Sequence, residues 1–136
     1  MTDTPFAALI ETVQAVPDNS PLCVPADWMQ GRTAYGGLIA AMTLKSMRGH
    51  VPQGRKIRSL LFSFAGPVNS DPFIIQARPI RSGKSVTTIA SRLIQNDNIC
   101  ASAIGSFGAD RDSKIEIPPA ELKEIPEPDA ALELPY

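Results

Sequence analysis

Two adjacent glycines, Gly36 and Gly37, stand where a polar loop gives way to side chains that are small or apolar almost without interruption as far as Lys45. The first N–H groups of a helix lack intrahelical acceptors, and the peptide dipoles make that end partly positive. Two residues without side chains let a ligand come close to such N–H groups, as a carbonyl oxygen gaining negative charge requires. The same pair could instead serve packing alone, by letting the helix approach a sheet. Asp27, in Asp27-Trp28-Met-Gln-Gly31, is the carboxylate in reach of the loop, read either as a base or as an exposed or helix-capping residue. Tyr35 directly precedes the glycines and either lines a pocket or donates a hydrogen bond there, or packs as a loop aromatic. Arg32, Arg78, Arg81 and Lys84 carry the charge to meet phosphates, although arginines on the outer face of a sheet commonly stay solvated.

Other chemistries find little support. There is no Walker-type loop, no Ser-His-Asp set and no cluster of metal ligands, so no metal and no cofactor is expected. The single histidine, His50, falls at the end of the central helix, where it favours the dipole. Cys23 and Cys100 are far apart in apolar settings and read as small core residues in a reducing compartment. A length of 136 residues fits one domain with a sizeable core, and a net charge of -1 points to neither nucleic acid nor an anionic membrane surface. The opening residues carry no basic region followed by an apolar run, and no apolar stretch is long enough to span a bilayer. The expectation is a soluble cytoplasmic protein.

The elements that must position these residues follow from periodicity. Thr4-Pro5 reads as a cap and first turn, and Phe6, Leu9, Ile10 and Val13 recur at helical spacing, which predicts a helix over residues 5–16 ended by Pro17-Asp18-Asn19. Residues 20–24 read as a short strand stopped by Pro25, and residues 26–35 as a loop. The central helix is predicted over residues 36–48, closing at Gly49. Because it is apolar nearly all round, it is expected to be buried nearly all round. Strands are predicted over residues 57–65, 73–80, 86–95 and 99–107. The turn at residues 81–84 offers Gly83 for a positive φ, and Asn96-Asp97-Asn98 makes another turn. Phe73, Ile75 and Ala77 share one face, as do Ile99, Ala101, Ala103 and Phe107. Strands in series after one helix argue for the α+β class, with an antiparallel sheet wrapped around one long helix. The division is an N-terminal helical segment at 1–19, a folded unit at 20–108, and a proline- and glutamate-rich linker or tail at 109–136.

This pattern resembles the hotdog fold, and in detail the N-terminal hotdog of the acyl-CoA thioesterase II-type family. The matching stretches are Gln30-Gly-Arg-Thr-Ala-Tyr-Gly-Gly-Leu-Ile-Ala-Ala41, Leu61-Phe-Ser-Phe-Ala-Gly-Pro-Val68 and Pro79-Ile-Arg-Ser-Gly-Lys-Ser85, then Leu93-Ile-Gln-Asn96 and Ala103-Ile-Gly-Ser-Phe-Gly108. The resemblance implies an acyl-CoA substrate and hydrolysis of the thioester of a fatty acyl-CoA. It implies two hotdogs in one chain, joined by a proline-rich linker and paired edge to edge, or a homodimer doing the same. Gly37 with Gly36 would then face the thioester, Tyr35 and Arg32 would meet the substrate, and Asp27 would match, at different spacing, an acid of another hotdog branch. Related thioesterases carry an acid about two turns beyond the glycine pair, where this chain has Thr43 and Leu44. The closing strand ends in Ser106-Phe-Gly108, without the glutamine of the double-hotdog C-terminal half, and Gln95 resembles a strand-end position that a hairpin residue explains equally well. The resemblance therefore implies a catalytically degenerate N-terminal half. The alternative is a non-catalytic module that binds acyl chains or dimerises. A hydratase would need a histidine paired with an acid, and His50 is misplaced for that.

Overall fold

The computed structural model describes residues 3–15, 19–121, 127 and 130. Helix α1 (Phe6–Ala15) opens the chain, and the expected helix end at Val16 and Pro17 lies outside the described residues. A 3-10 turn (Ala26–Trp28) leads into two short strands, β1 (Met29–Gln30) and β2 (Thr33–Ala34), paired through Met29–Ala34 and Gln30–Thr33. The stretch read as a loop is therefore a tight hairpin, made possible by Gly31 at φ 64°. Helix α2 (Gly36–Arg48) follows with the expected bounds and closes at Gly49.

Four antiparallel strands complete the fold: β3 (Lys56–Phe64), β4 (Ile74–Ser82), β5 (Val86–Gln95) and β6 (Asn98–Gly108), in the order β3-β6-β5-β4. β5 reads as valine-, threonine- and isoleucine-rich alternation, and its buried side is Thr87, Ile89, Ser91, Leu93 and Gln95. The β5–β6 hairpin turns on Asn96 and Asp97, both at positive φ (50° and 61°), the primed turn that matches strand twist. Leu38, Ile39 and Met42 of α2 join a cluster with Phe73, Ile75, Leu93 and Ala101, while Met47 joins Ile89, Ala103 and Phe107. A Cβ on Gly105 would come within 3.1 Å of both Met47 Sδ and the Phe107 ring, so this glycine lets the helix lie close on the sheet. The result is one helix laid across an antiparallel sheet, the α+β hotdog arrangement.

Several local expectations are corrected. Residues 20–24 make a single bridge, Leu22 to Phe73, because Pro21 and Pro25 bracket the stretch and lack the N–H groups a ladder needs. Burial of α2 is confined to Leu38, Ile39, Met42, Thr43 and Met47, and Ala40, Ala41 and Leu44 remain half-buried, since the sheet covers one side only. Gly83 does not adopt a positive φ, because β4 runs on to Ser82 and Gly83 N–H donates to Val86 O at 2.8 Å. Ile99 is exposed, unlike Ala101, Ala103 and Phe107, because the register shifts between Leu93 and Ile94. Cys23 is exposed and Cys100 buried, so only the latter is a core residue. Residues 109–121 contain no helix or strand, and Ile115 and Ile117 among them are exposed. The remaining tail, apart from 127 and 130, lies outside the described residues.

Candidate functional site

The loop before α2 is tied down at three points. Ala34 N–H donates to Val68 O at 2.7 Å, Tyr35 N–H donates to Trp28 O at 3.1 Å, and the Trp28 and Tyr35 rings lie 6.5 Å apart. Val68 begins the segment that Gln95 holds from below. Gln95, buried at the end of β5, accepts from Asn69 N–H at 2.9 Å and donates to Asn69 O at 3.3 Å and Asp71 O at 2.6 Å. The side chain that sequence alone left ambiguous thus clamps the 69–71 turn, which supports the hairpin leading to the glycines.

Tyr35 is the N-cap residue of α2 and makes no side-chain cap. Its carbonyl accepts from Leu38 N–H at 3.1 Å and Ile39 N–H at 3.3 Å. Among the described residues, the N–H groups of Gly36 and Gly37 have no acceptor. Each glycine also makes room for an aromatic ring. A Cβ on Gly36 would sit 3.3 Å from two atoms of the Phe64 ring, and one on Gly37 would sit 2.6 Å from Tyr35 Cε1. Tyr35 and Phe64 are 46% and 59% exposed, so the two rings lie at the surface beside the glycines and are not core residues. Phe62 backs Phe64, with ring centroids 4.6 Å apart. The site is thus two unpartnered N–H groups between two exposed rings, at the positive end of a helix.

The other predicted residues sit elsewhere. The Asp27 carboxylate accepts from Thr4 N–H and from Thr4 Oγ1 (3.2 Å), and Trp28 Nε1 donates to Thr4 O at 2.8 Å. Asp27 and Trp28 therefore clasp Thr4, two residues before α1. The Thr4 N–H holds the Asp27 carboxyl below its usual range, away from the near-neutral value that suits a general base. Arg32 lies in the β1–β2 turn and lines a cavity of 580 Å³ with Met29, Asn69 and Ser70, whose walls do not include Tyr35, Gly36 or Gly37. Thr43, at the position of the missing helix acid, is buried and donates to Ile39 O at 2.8 Å, and Leu44 is half-buried. The structure therefore brings Tyr35, Gly36 and Gly37 together, adds Phe64, and leaves Asp27 and Arg32 outside that group. Phe64 was legible only as part of the Leu61-Phe-Ser-Phe64 run; its contact with Gly36 spans the fold. No group of three or more potential metal ligands exists among the described residues, and none of their helices is long and apolar enough to cross a membrane.

Comparison with known proteins places this geometry. Among solved structures, a hot dog fold protein of unknown function from Alicyclobacillus acidocaldarius is 27% identical with a TM-score of 0.68, covering 80% of this chain and 41% of its own. An acyl-CoA thioesterase II from Mycobacterium marinum is 24% identical with a TM-score of 0.62, covering 70% of this chain and 37% of its own. A phenylacetic acid degradation-related protein from Ralstonia eutropha, at 20% identity and a TM-score of 0.62, covers 78% of this chain and 92% of its own. The chain thus spans less than half of the first two proteins and nearly the whole of the third. No curated protein matches it. The family described as acyl-CoA thioesterase N-terminal domain matches residues 24–108, from just before the 3-10 turn to the end of β6, and the chain belongs to that family.

Proposed function

We propose that this chain is one half of a hotdog pair that hydrolyses a fatty acyl-CoA to the free acid and coenzyme A. The observation that carries this reading is the pair of unpartnered N–H groups at Gly36 and Gly37, open between Tyr35 and Phe64. The thioester carbonyl would lie against these groups, with Gly37 nearest the exposed end and Tyr35 and Gly36 in contact with substrate. A water oxygen attacks the carbonyl carbon, its proton passes to a base, and the resulting oxyanion is held by the N–H groups. The C–S bond then breaks and the sulfur of coenzyme A takes up a proton. Among the described residues α2 carries no carboxylate, so the base comes from the other hotdog.

The pairing edge supports this division of labour. β3 is an outer strand whose Ile57, Leu60, Leu61 and Phe64 are exposed; its charges, Lys56 and Arg58, and its register shift all lie before Leu60, whereas the other edge, β4, carries Arg78, Pro79 and Arg81 and a register shift in its second half. Charge, proline and irregularity protect an edge, and an apolar one invites a partner. The half-open Ala40, Ala41 and Leu44 face of α2 suits a second helix laid alongside. The partner is a second hotdog in the same polypeptide or another copy of this chain. A second reading, a non-catalytic module for binding acyl chains or for pairing, is favoured by Thr43 and Leu44 at the acid's position.

The test is thioester hydrolysis over a chain-length series of acyl-CoAs, with mass in solution measured on the same sample. The proposal expects binding with little turnover by this chain alone, and turnover when the partner hotdog is supplied. Failure to hydrolyse with the partner present, while acyl-CoA still binds, selects the non-catalytic reading.

A further inference from the structure

The face of the sheet turned away from α2 carries a second feature that the thioester site does not use. Strands β3 to β6 contain no aspartate or glutamate, yet they carry Lys56, Arg58, Arg78, Arg81 and Arg92. Lys56 and Arg58 both pair with Asp110, each at 2.6 Å. Arg55, just before β3, is held by Gly83 O, Lys84 O and Thr87 Oγ1. Arg48 donates to Arg55 O and lies over the Phe107 ring at 5.2 Å. Arg78 and Arg92, by contrast, make no hydrogen bond, ion pair or ring contact among the described residues.

These two arginines share a face and a cavity. Gln76 pairs with Arg92 and Arg92 with Ser102, and in the next row Arg78 pairs with Ala90 and Ala90 with Ile104. Arg78 and Arg92 are thus diagonal neighbours on adjacent strands, roughly 7–8 Å apart at the backbone. These six residues, with Ser91 and Ala103, line a cavity of 290 Å³. Ala90, paired with Arg78 and two residues before Arg92 on the same strand, adds little bulk, Gln76 and Ser102 add an amide and a hydroxyl, and Ile104 adds an apolar side chain. Two like charges set side by side without a carboxylate repel each other, and an anion between them removes that repulsion. A phosphate group, which accepts paired N–H bonds from two planar forks, matches the arrangement.

We propose that this outer-face cavity binds the phosphate group of a small ligand, held by Arg78 and Arg92 and oriented by Gln76 and Ser102. The source is either free phosphate or a phosphate of coenzyme A; the second rests on the thioesterase reading, and the first does not. The site stays open in the proposed pair, because pairing uses the β3 edge and the α2 face.

The experiment is a titration of the whole chain with inorganic phosphate, followed by amide NMR. Shifts confined to residues 76–78, 90–92 and 102–104 are expected, and Arg78→Gln or Arg92→Gln should weaken binding by about tenfold or more. Arg81→Gln, outside the cavity, should bind as the parent does. Parallel titrations with coenzyme A and 3′-dephospho-coenzyme A separate the sources. Tighter binding of coenzyme A, abolished by Arg92→Gln, upholds the site and assigns it to the 3′-phosphate. Equal binding of the two cofactor forms, lost in Arg92→Gln, assigns the site to the diphosphate, and binding of neither form, with phosphate still bound, upholds it as a free-phosphate site. Absence of phosphate shifts, or shifts that persist undiminished in both arginine variants, overturns the proposal whatever the hydrolysis assay shows.

Discussion

Replacing Gln95 by leucine removes three hydrogen bonds in one step while keeping an apolar side chain of similar reach. The parent bonds measure 2.9, 3.3 and 2.6 Å, to Asn69 N–H, Asn69 O and Asp71 O. At about 1 kcal/mol net for each good bond, and less for the long one, the loss is about 2–3 kcal/mol. Water can reach the half-buried Asn69, which keeps the cost near the lower end. For a domain of this size that corresponds to a fall in Tm of about 10 °C. Gln95→Glu supplies the sign test. The carboxylate would still accept from Asn69 N–H, but it would face two carbonyl oxygens in a buried site. Both effects raise the folded-state pKa above the unfolded value of about 4.3. Protonation therefore favours the folded form, so the variant should gain stability as pH falls through its folded pKa and lose it above. Urea unfolding at pH 7 and pH 5, with hydrogen exchange at Ala34 and Asn69, measures both. Wild-type stability of Gln95→Glu at pH 7, or unchanged exchange at Ala34 in Gln95→Leu, would refute the clamp.

Three further outcomes follow from the same contacts. Gly37→Ala brings a Cβ to 2.6 Å from Tyr35, so the ring must retreat by about 1 Å and binding of a non-hydrolysable acyl-CoA analogue should fall by about tenfold or more; Tm should change little, because alanine favours helix by up to about 1 kcal/mol. Asp110 is held below its ordinary value of 3.8 first by Lys56 and then by Arg58, so its small contribution is present above that value and lost as pH falls through the folded pKa; Asp110→Asn should flatten the acid limb of a pH–stability curve, and an unchanged limb counts against the pairing. A thiol reagent should modify Cys23 rapidly without denaturant and Cys100 only on unfolding, and two equally fast thiols would contradict the burial of Cys100.

How much of this was legible in the sequence depended on the range of the contact. The bounds of α2 and β5 follow from local pattern, Gly36-Gly37 before the apolar run and strict alternation from Val86 to Gln95, and both are found where expected. The strand at 20–24 and the exposure of Ile99 turn on prolines beside a sheet edge and a bulge, features that alternation does not encode. Burial around α2 was overestimated because helix composition does not tell how many sides of the helix the sheet covers. At the site, Tyr35, Gly36 and Gly37 are neighbours in sequence and were found together. Asp27 meets Thr4 across 23 residues, and Phe64 meets Gly36 from another element; neither contact leaves a periodic trace.

The measurement closest to the central claim is an amide NMR titration of this chain with a non-hydrolysable thioether analogue of a fatty acyl-CoA. The account predicts the largest shifts at Gly36 and Gly37, with accompanying changes at Tyr35 and Phe64 and none of comparable size at Asp27. Binding that leaves both glycine amides unmoved would contradict the assignment of the α2 N-terminus as the thioester site.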